Sequence, residues 1–128
     1  MSRGAAGLAI WAPGRMAMVI ISGEIAKNLR TALERLGNPP HMLVSRSDST
    51  LRGHFPTETD VLTDELGPFD MPFMTPAFFE AGRVTIDGVH YIRDQGGLTR
   101  TDQTPFAKDS VFGYSTSYLP DYVEEKTG

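Results

Sequence analysis

The stretch "RVTIDGVHYI", residues 83–92, constrains this chain more than any other, because it specifies an element and its register together. Two runs of β-branched and aromatic residues flank Asp87-Gly88, and Asp-Gly supplies the two positive φ angles of a type I′ turn. A two-residue loop pairs Ile86 with Val89 and Val84 with Tyr91 on one face, leaving Thr85 and His90 on the other.

The chain before the hairpin alternates between short apolar runs and helical patterns. Met16–Ile21, "MAMVII", is continuously apolar and short, the pattern of a buried strand, although periodicity alone does not distinguish it from a helix segment. In "SGEIAKNLRTALERLG" the residues Ile25, Leu29, Ala32, Leu33 and Leu36 recur at helical spacing, with Ser22 placed as a cap and Gly37 as the stop. "HMLVS", residues 41–45, is a second strand candidate, and a short helix follows from Pro56 to Leu66. "PFMTPAF", between Pro72 and Phe78, is a third short apolar run bracketed by prolines.

After the hairpin, "RDQGGLTRTDQTPFAKDSVFG" lacks periodicity and reads as a long irregular connection. The last segment, "STSYLPDYVEEKTG", predicts a helix carrying Tyr118, Leu119, Tyr122 and Val123, with Ser117 as its cap. Alternating strand and helix patterns predict an α/β domain: an open, largely parallel sheet flanked by helices, with the hairpin inserted.

With 128 residues, 40% of them hydrophobic, the chain is long enough for one domain with a modest core. Phe78, Phe79 and the six methionines are most simply core residues. The net charge is −4, and no Lys/Arg-dense stretch suggests a nucleic-acid partner. Residues 1–57 nevertheless hold seven basic and three acidic side chains, against five and thirteen in residues 58–128, so an anion prefers the first part on charge alone. The absence of cysteine excludes disulfides, thiol nucleophiles and thiolate metal sites, and suits a cytoplasmic protein.

Pro13, Gly14 and Arg15 interrupt the apolar start too early for a membrane span, and Arg3 with Gly4–Ala12 makes only a minimal signal-peptide pattern. His41, His54 and His90 lack metal-ligand spacing, so no metal site is expected.

The strongest candidate site is "SRSDSTLRGHF", residues 45–55, a polar loop between a strand candidate and a helix. In open α/β sheets ligands gather at such strand-to-helix loops. Arg52 suits a carboxylate or phosphate, Ser49 and Thr50 suit hydroxyls, and Gly53 lets a ligand approach the backbone. Asp48 suits orienting Arg52, accepting from a sugar hydroxyl, or acting as a base. The simpler alternative is a turn in which Arg52 pairs with Asp48 or lies in solvent. Arg83, at the head of the hairpin, either adds positive charge near this loop or is a solvated edge arginine. The loop is neither GxGxxG nor a P-loop.

Three stretches in this order, "DSTLRG" (Asp48–Gly53), "TPAFFEAGRVTIDGVHYI" (Thr75–Ile92) and "FAKDSVFGYSTSYL" (Phe106–Leu119), resemble the N-terminal domain of the four-carbon acid sugar kinases. The resemblance covers about residues 22–126, and the combination is more specific than any one piece. It implies a substrate-binding domain of a kinase that phosphorylates threonate, erythronate or related acids, with ATP and Mg²⁺ as cofactors of the complete enzyme. By the resemblance Asp48, Ser49, Thr50, Arg52 and Gly53 match the hallmark loop, and Gly82, Arg83, Asp87 and Gly88 match a second segment.

This chain also departs from the family. Residues 1–21 show nothing like its opening "DDLTGA" loop, and the C-terminal nucleotide-binding domain is not in the sequence. Ser47 stands where an aliphatic residue is usual and His54 where asparagine is common. The expectations are therefore a partial domain over residues 22–128, tight binding of neither ATP nor Mg²⁺, and no turnover alone. The other readings are a non-catalytic interaction module, and a homo-oligomer paired through an exposed sheet edge.

Overall fold

In the computed structural model, which describes residues 15–128, Asp87 and Gly88 take φ angles of 50° and 78°, as the Asp-Gly turn requires. Strand β1 (Arg83–Ile86) pairs antiparallel with β2 (Val89–Asp94) in the expected register, Val84 opposite Tyr91 and Thr85 opposite His90. A third strand, β3 (Gly97–Arg100), continues the meander with Arg100 opposite Tyr91, giving the order β1-β2-β3.

The sheet among the described residues is thus antiparallel throughout, and the expected largely parallel sheet is corrected. Two of its expected strands do not form. Met16–Ile21 is instead part of helix α1 (Arg15–Arg35), whose backbone bonds close within one segment and need no partner strand. Ser22 accordingly lies inside the helix, its hydroxyl 3.3 Å from the Met18 sulfur, and is no cap. Residues 41–45 join no ladder, and Met42 is 87% exposed: an apolar run without neighbours to pair with does not make a sheet.

Gly37 does end α1, at φ 76°, with the Asn38 N–H donating back to the Leu33 carbonyl at 2.8 Å. Helix α2 (Thr57–Leu66) follows Pro56 as expected and packs along α1, where Lys27 and Arg30 reach Glu65 at 3.6 and 3.2 Å. The run at 72–78 contributes one isolated bridge, Phe78 to Arg83, before a 3-10 turn at Phe79–Ala81. Phe78 and Phe79 are exposed, against the core placement that their apolar character predicts, as are Met16, Met42 and Met71.

The long connection after β2 is also more ordered than its sequence suggests. Beyond β3 it makes 3-10 turns at Thr101–Gln103 and Pro105–Lys108, then leads to helix α3 (Leu119–Thr127). Ser117 does not cap α3. It is fully buried, and its hydroxyl accepts the Asp102 N–H at 2.7 Å while Asp102 accepts the Ser117 N–H at 2.9 Å. This reciprocal pair draws the segment before α3 onto the hairpin, where the His90 N–H donates to the Ser117 carbonyl and the Leu119 N–H to that of Gly88, both at 2.8 Å. Gly88 also leaves room for the Tyr118 ring, which a Cβ there would meet at 2.8 Å. The core lies behind this junction: Leu51, Ala107, Tyr114 and Tyr122, ringed by Phe55, Met74, Leu119 and Val123.

Candidate functional site

Asp48–Leu51 forms a turn closed by the Leu51 N–H on the Asp48 carbonyl at 3.2 Å. Leu51 sits at φ 66°, a left-handed conformation that costs a non-glycine residue about 1–2 kcal/mol. Three long-range hydrogen bonds hold it there. His90 Nε2 donates to the Ser49 carbonyl at 2.7 Å, the Tyr114 hydroxyl to that of Thr50 at 2.8 Å, and the Tyr122 hydroxyl to that of Leu51 at 3.0 Å. Consecutive carbonyls are thus pinned from β2, from the loop before α3, and from α3 itself.

The protonation of this clamp follows from its acceptors. A carbonyl can only accept, so His90 carries its proton on Nε2, and Nδ1 accepts from the Thr85 hydroxyl at 2.9 Å. Burial depresses the imidazole pKa, opposed by the Ser49 carbonyl and reinforced by the charge of Arg83. Burial likewise raises the phenol of Tyr114 and pushes that of Tyr122 up to about 12, so both remain donors.

With its backbone held, the loop directs Asp48 and Arg52 toward one another. Arg52 Nε donates to Asp48 Oδ2 at 2.8 Å and lies 3.0 Å from the Thr50 hydroxyl, which itself donates to Asp48. The guanidinium carbon stands 4.9 Å over the Phe106 ring, and Nη1 is 3.9 Å from Asp109 Oδ2. Nε takes both hydrogen bonds, so the two terminal nitrogens remain without one among the described residues. Asp48, Arg52, Asp109 and Phe112 line a cleft of about 210 Å³.

Burial works to raise the Asp48 pKa, but the hydrogen bonds from Thr50 and Arg52 and the Arg52 charge outweigh it and hold the carboxyl below its usual range. Asp109 is lowered chiefly by the Phe112 and Val111 N–H groups, which donate to Oδ1 at 2.9 Å each. Both carboxyls are therefore ionised at neutral pH. The cleft holds one guanidinium between two carboxylates, an arrangement rich in donors at one point and acceptors on either side.

Of the residues expected from sequence, Asp48 and Arg52 line the cleft together. Thr50 is 2% exposed and spends its hydroxyl on Asp48, so it shapes the loop from inside. Ser49 is half-buried and contributes its carbonyl to His90. Gly53 permits close packing on Ser47, whose Oγ would lie 2.2 Å from an added Cβ. Arg83 donates to the Ala81 carbonyl and is not among the cleft-lining residues; it sits on the sheet face that carries Thr85 and His90.

Sequence reasoning missed Asp109, Phe106 and Phe112, and gave His90 no part in the loop. The first three belong to "FAKDSVFGYSTSYL", a stretch distinctive in sequence but without a motif-level chemistry of its own. Among the described residues no three metal-ligating side chains come together, and no helix is long and apolar enough to cross a membrane.

The family described as the sugar-binding N-terminal domain matches residues 20–128. A D-erythronate kinase of Heliobacterium modesticaldum is 40% identical over 74 residues, which are 55% of this chain and 17% of that protein's length. No solved structure matches.

Proposed function

The chain belongs to the sugar-binding N-terminal domains of the four-carbon acid sugar kinases, and from that premise we propose that its cleft binds a sugar acid of the erythronate type. The supporting observation is the state of Arg52. Its Nε is tied to Asp48 and its face to Phe106, which leaves the paired terminal nitrogens to receive a carboxylate in two parallel hydrogen bonds. Asp48 and Asp109 flank that point as acceptors for hydroxyl groups. A ligand carrying a carboxylate and several hydroxyls complements both features.

Asp48 is a positioning residue in this reading. A general base works best with a pKa near the operating pH, whereas the partners of Asp48 move it the other way. Thr50 and the clamp of His90, Tyr114 and Tyr122 set the angle at which Arg52 leaves the backbone. Phosphoryl transfer from ATP with Mg²⁺ belongs to the proposed activity of the whole kinase. Asp48 and Asp109 already share the Arg52 guanidinium, which makes them poor ligands for Mg²⁺ in this reading. What they supply is binding and orientation of the acceptor, and the chain alone is expected to form no ADP.

Titration of D-erythronate into the chain, followed by amide NMR, tests the proposal. Saturable shifts over Asp48–Gly53 that vanish in Arg52→Met are expected; a flat response from the folded wild type overturns it. That flat response would instead favour a non-catalytic interaction module, a reading to which the exposed apolar side chains of Met42, Met71 and Phe73 give some weight.

A further inference from the structure

We infer that Asp109 makes the site selective for 2-hydroxy acids: it requires a hydroxyl on the carbon next to the carboxylate that Arg52 holds. The inference rests on the sugar-acid reading above and adds a chemical condition to it. Among the described residues Asp109 is anchored through Oδ1 alone, by the Val111 and Phe112 N–H groups, so Oδ2 remains directed at Arg52 without a hydrogen bond, 3.9 Å from Nη1. A carboxylate docked on Nη1 and Nη2 brings its own charge up to that oxygen. Two anions then share one guanidinium whose Nε is already committed to Asp48.

Protonation of Asp109 is disfavoured, because the Phe112 and Val111 N–H groups on Oδ1 and the Arg52 charge stabilise its carboxylate and lower its pKa. Rotation of the side chain is opposed by the same two bonds. The remaining relief is a donor on the ligand. In a 2-hydroxy acid the hydroxyl is one carbon from the carboxylate, close enough to donate to Oδ2 while the carboxylate stays on the guanidinium. Asp48 differs in that its charge is already met by donors from Arg52 Nε and Thr50, whereas Asp109 Oδ2 has no hydrogen-bond donor among the described residues. A 2-deoxy acid leaves two carboxylates facing each other with no proton between them, and a site built to hydrogen-bond a hydroxyl rejects the analogue that lacks it.

The experiment compares D-erythronate with 3,4-dihydroxybutanoate, which lacks only the 2-hydroxyl, by titration into the wild-type chain and into Asp109→Asn. The wild type is expected to bind erythronate at least about tenfold more tightly, the scale of one hydrogen bond to a charged group. The asparagine retains an Oδ1 acceptor for the Val111 and Phe112 N–H groups but removes the charge. Its preference is expected to collapse toward unity, chiefly through tighter binding of the deoxy acid. General damage to the fold would weaken both ligands alike and leave the ratio standing. Equal binding of the two acids by the wild type, or an undiminished preference in Asp109→Asn, overturns the assignment while leaving the sugar-acid reading intact. Binding of neither acid by the folded wild type overturns both.

Discussion

The two ends of this molecule are held by different physics. Around the Asp48–Gly53 loop, residues far apart in sequence interlock through buried polar contacts: His90, Thr101 and Ser117 are fully buried, and each makes a hydrogen bond across more than ten residues. In the α1–α2 pair the polar ties are ion pairs to Glu65 from the exposed Lys27 and Arg30, Ala26 is buried, and Ile20, Ile21 and Ile25 remain exposed on α1. Exposed ion pairs contribute only about 0–1 kcal/mol each, whereas an orphaned buried polar group costs about 1–3 kcal/mol. Buried hydrogen bonds across long sequence separations are therefore concentrated where the candidate ligand site lies, while α1 keeps three isoleucines exposed.

The most direct way to break this contrast is Tyr122→Ala, which removes a core ring and the donor to the Leu51 carbonyl together. A loss of about 3–5 kcal/mol in urea unfolding is expected. His90→Leu should follow at about 1–3 kcal/mol, since it strands the Ser49 carbonyl and the Thr85 hydroxyl. It also changes the pH profile. The folded-state pKa of His90 lies below its ordinary 6.5, so its neutral form supports the fold above that pH and the contribution is lost as pH falls through the depressed value. Thermal melts from pH 7 to 5 should show a declining Tm in the wild type and a flatter one in His90→Leu.

Ser117→Ala removes the acceptor for the Asp102 N–H and is expected to cost about 1–2 kcal/mol in the same unfolding measurement. Smallest of all should be Phe73→Ser: this ring is 81% exposed, and the expected change is within about 0.5 kcal/mol despite the loss of a large apolar side chain. A larger loss from Phe73→Ser than from Ser117→Ala would mean that exposed apolar side chains outweigh the buried polar contacts in holding this fold.

How legible the sequence was depended on the range of the interactions involved. Asp87-Gly88 dictated its own turn and hence the register of β1 and β2, because two residues with positive φ suffice to set it. Helix α2 and the C-terminal stop of α1 were equally local, resting on Pro56 and Gly37. The pairing of Asp48 with Arg52 was one of the readings that a short polar turn left open. Residues 16–21 and 41–45 could not be assigned correctly, since an apolar run becomes a strand only if another strand lies beside it.

Sequence alone thus determined the hairpin, the stop of α1, the start of α2 and the residue types of the candidate loop, all consequences of backbone preferences within a few positions. Only the tertiary structure decided that Thr50 turns inward, that Asp109 faces Arg52, and that three ring donors seize consecutive carbonyls of one turn. The physical reason is that each of these contacts joins residues forty or more positions apart, or takes its direction from one that does, and nothing in a local pattern encodes which distant donor will meet which acceptor.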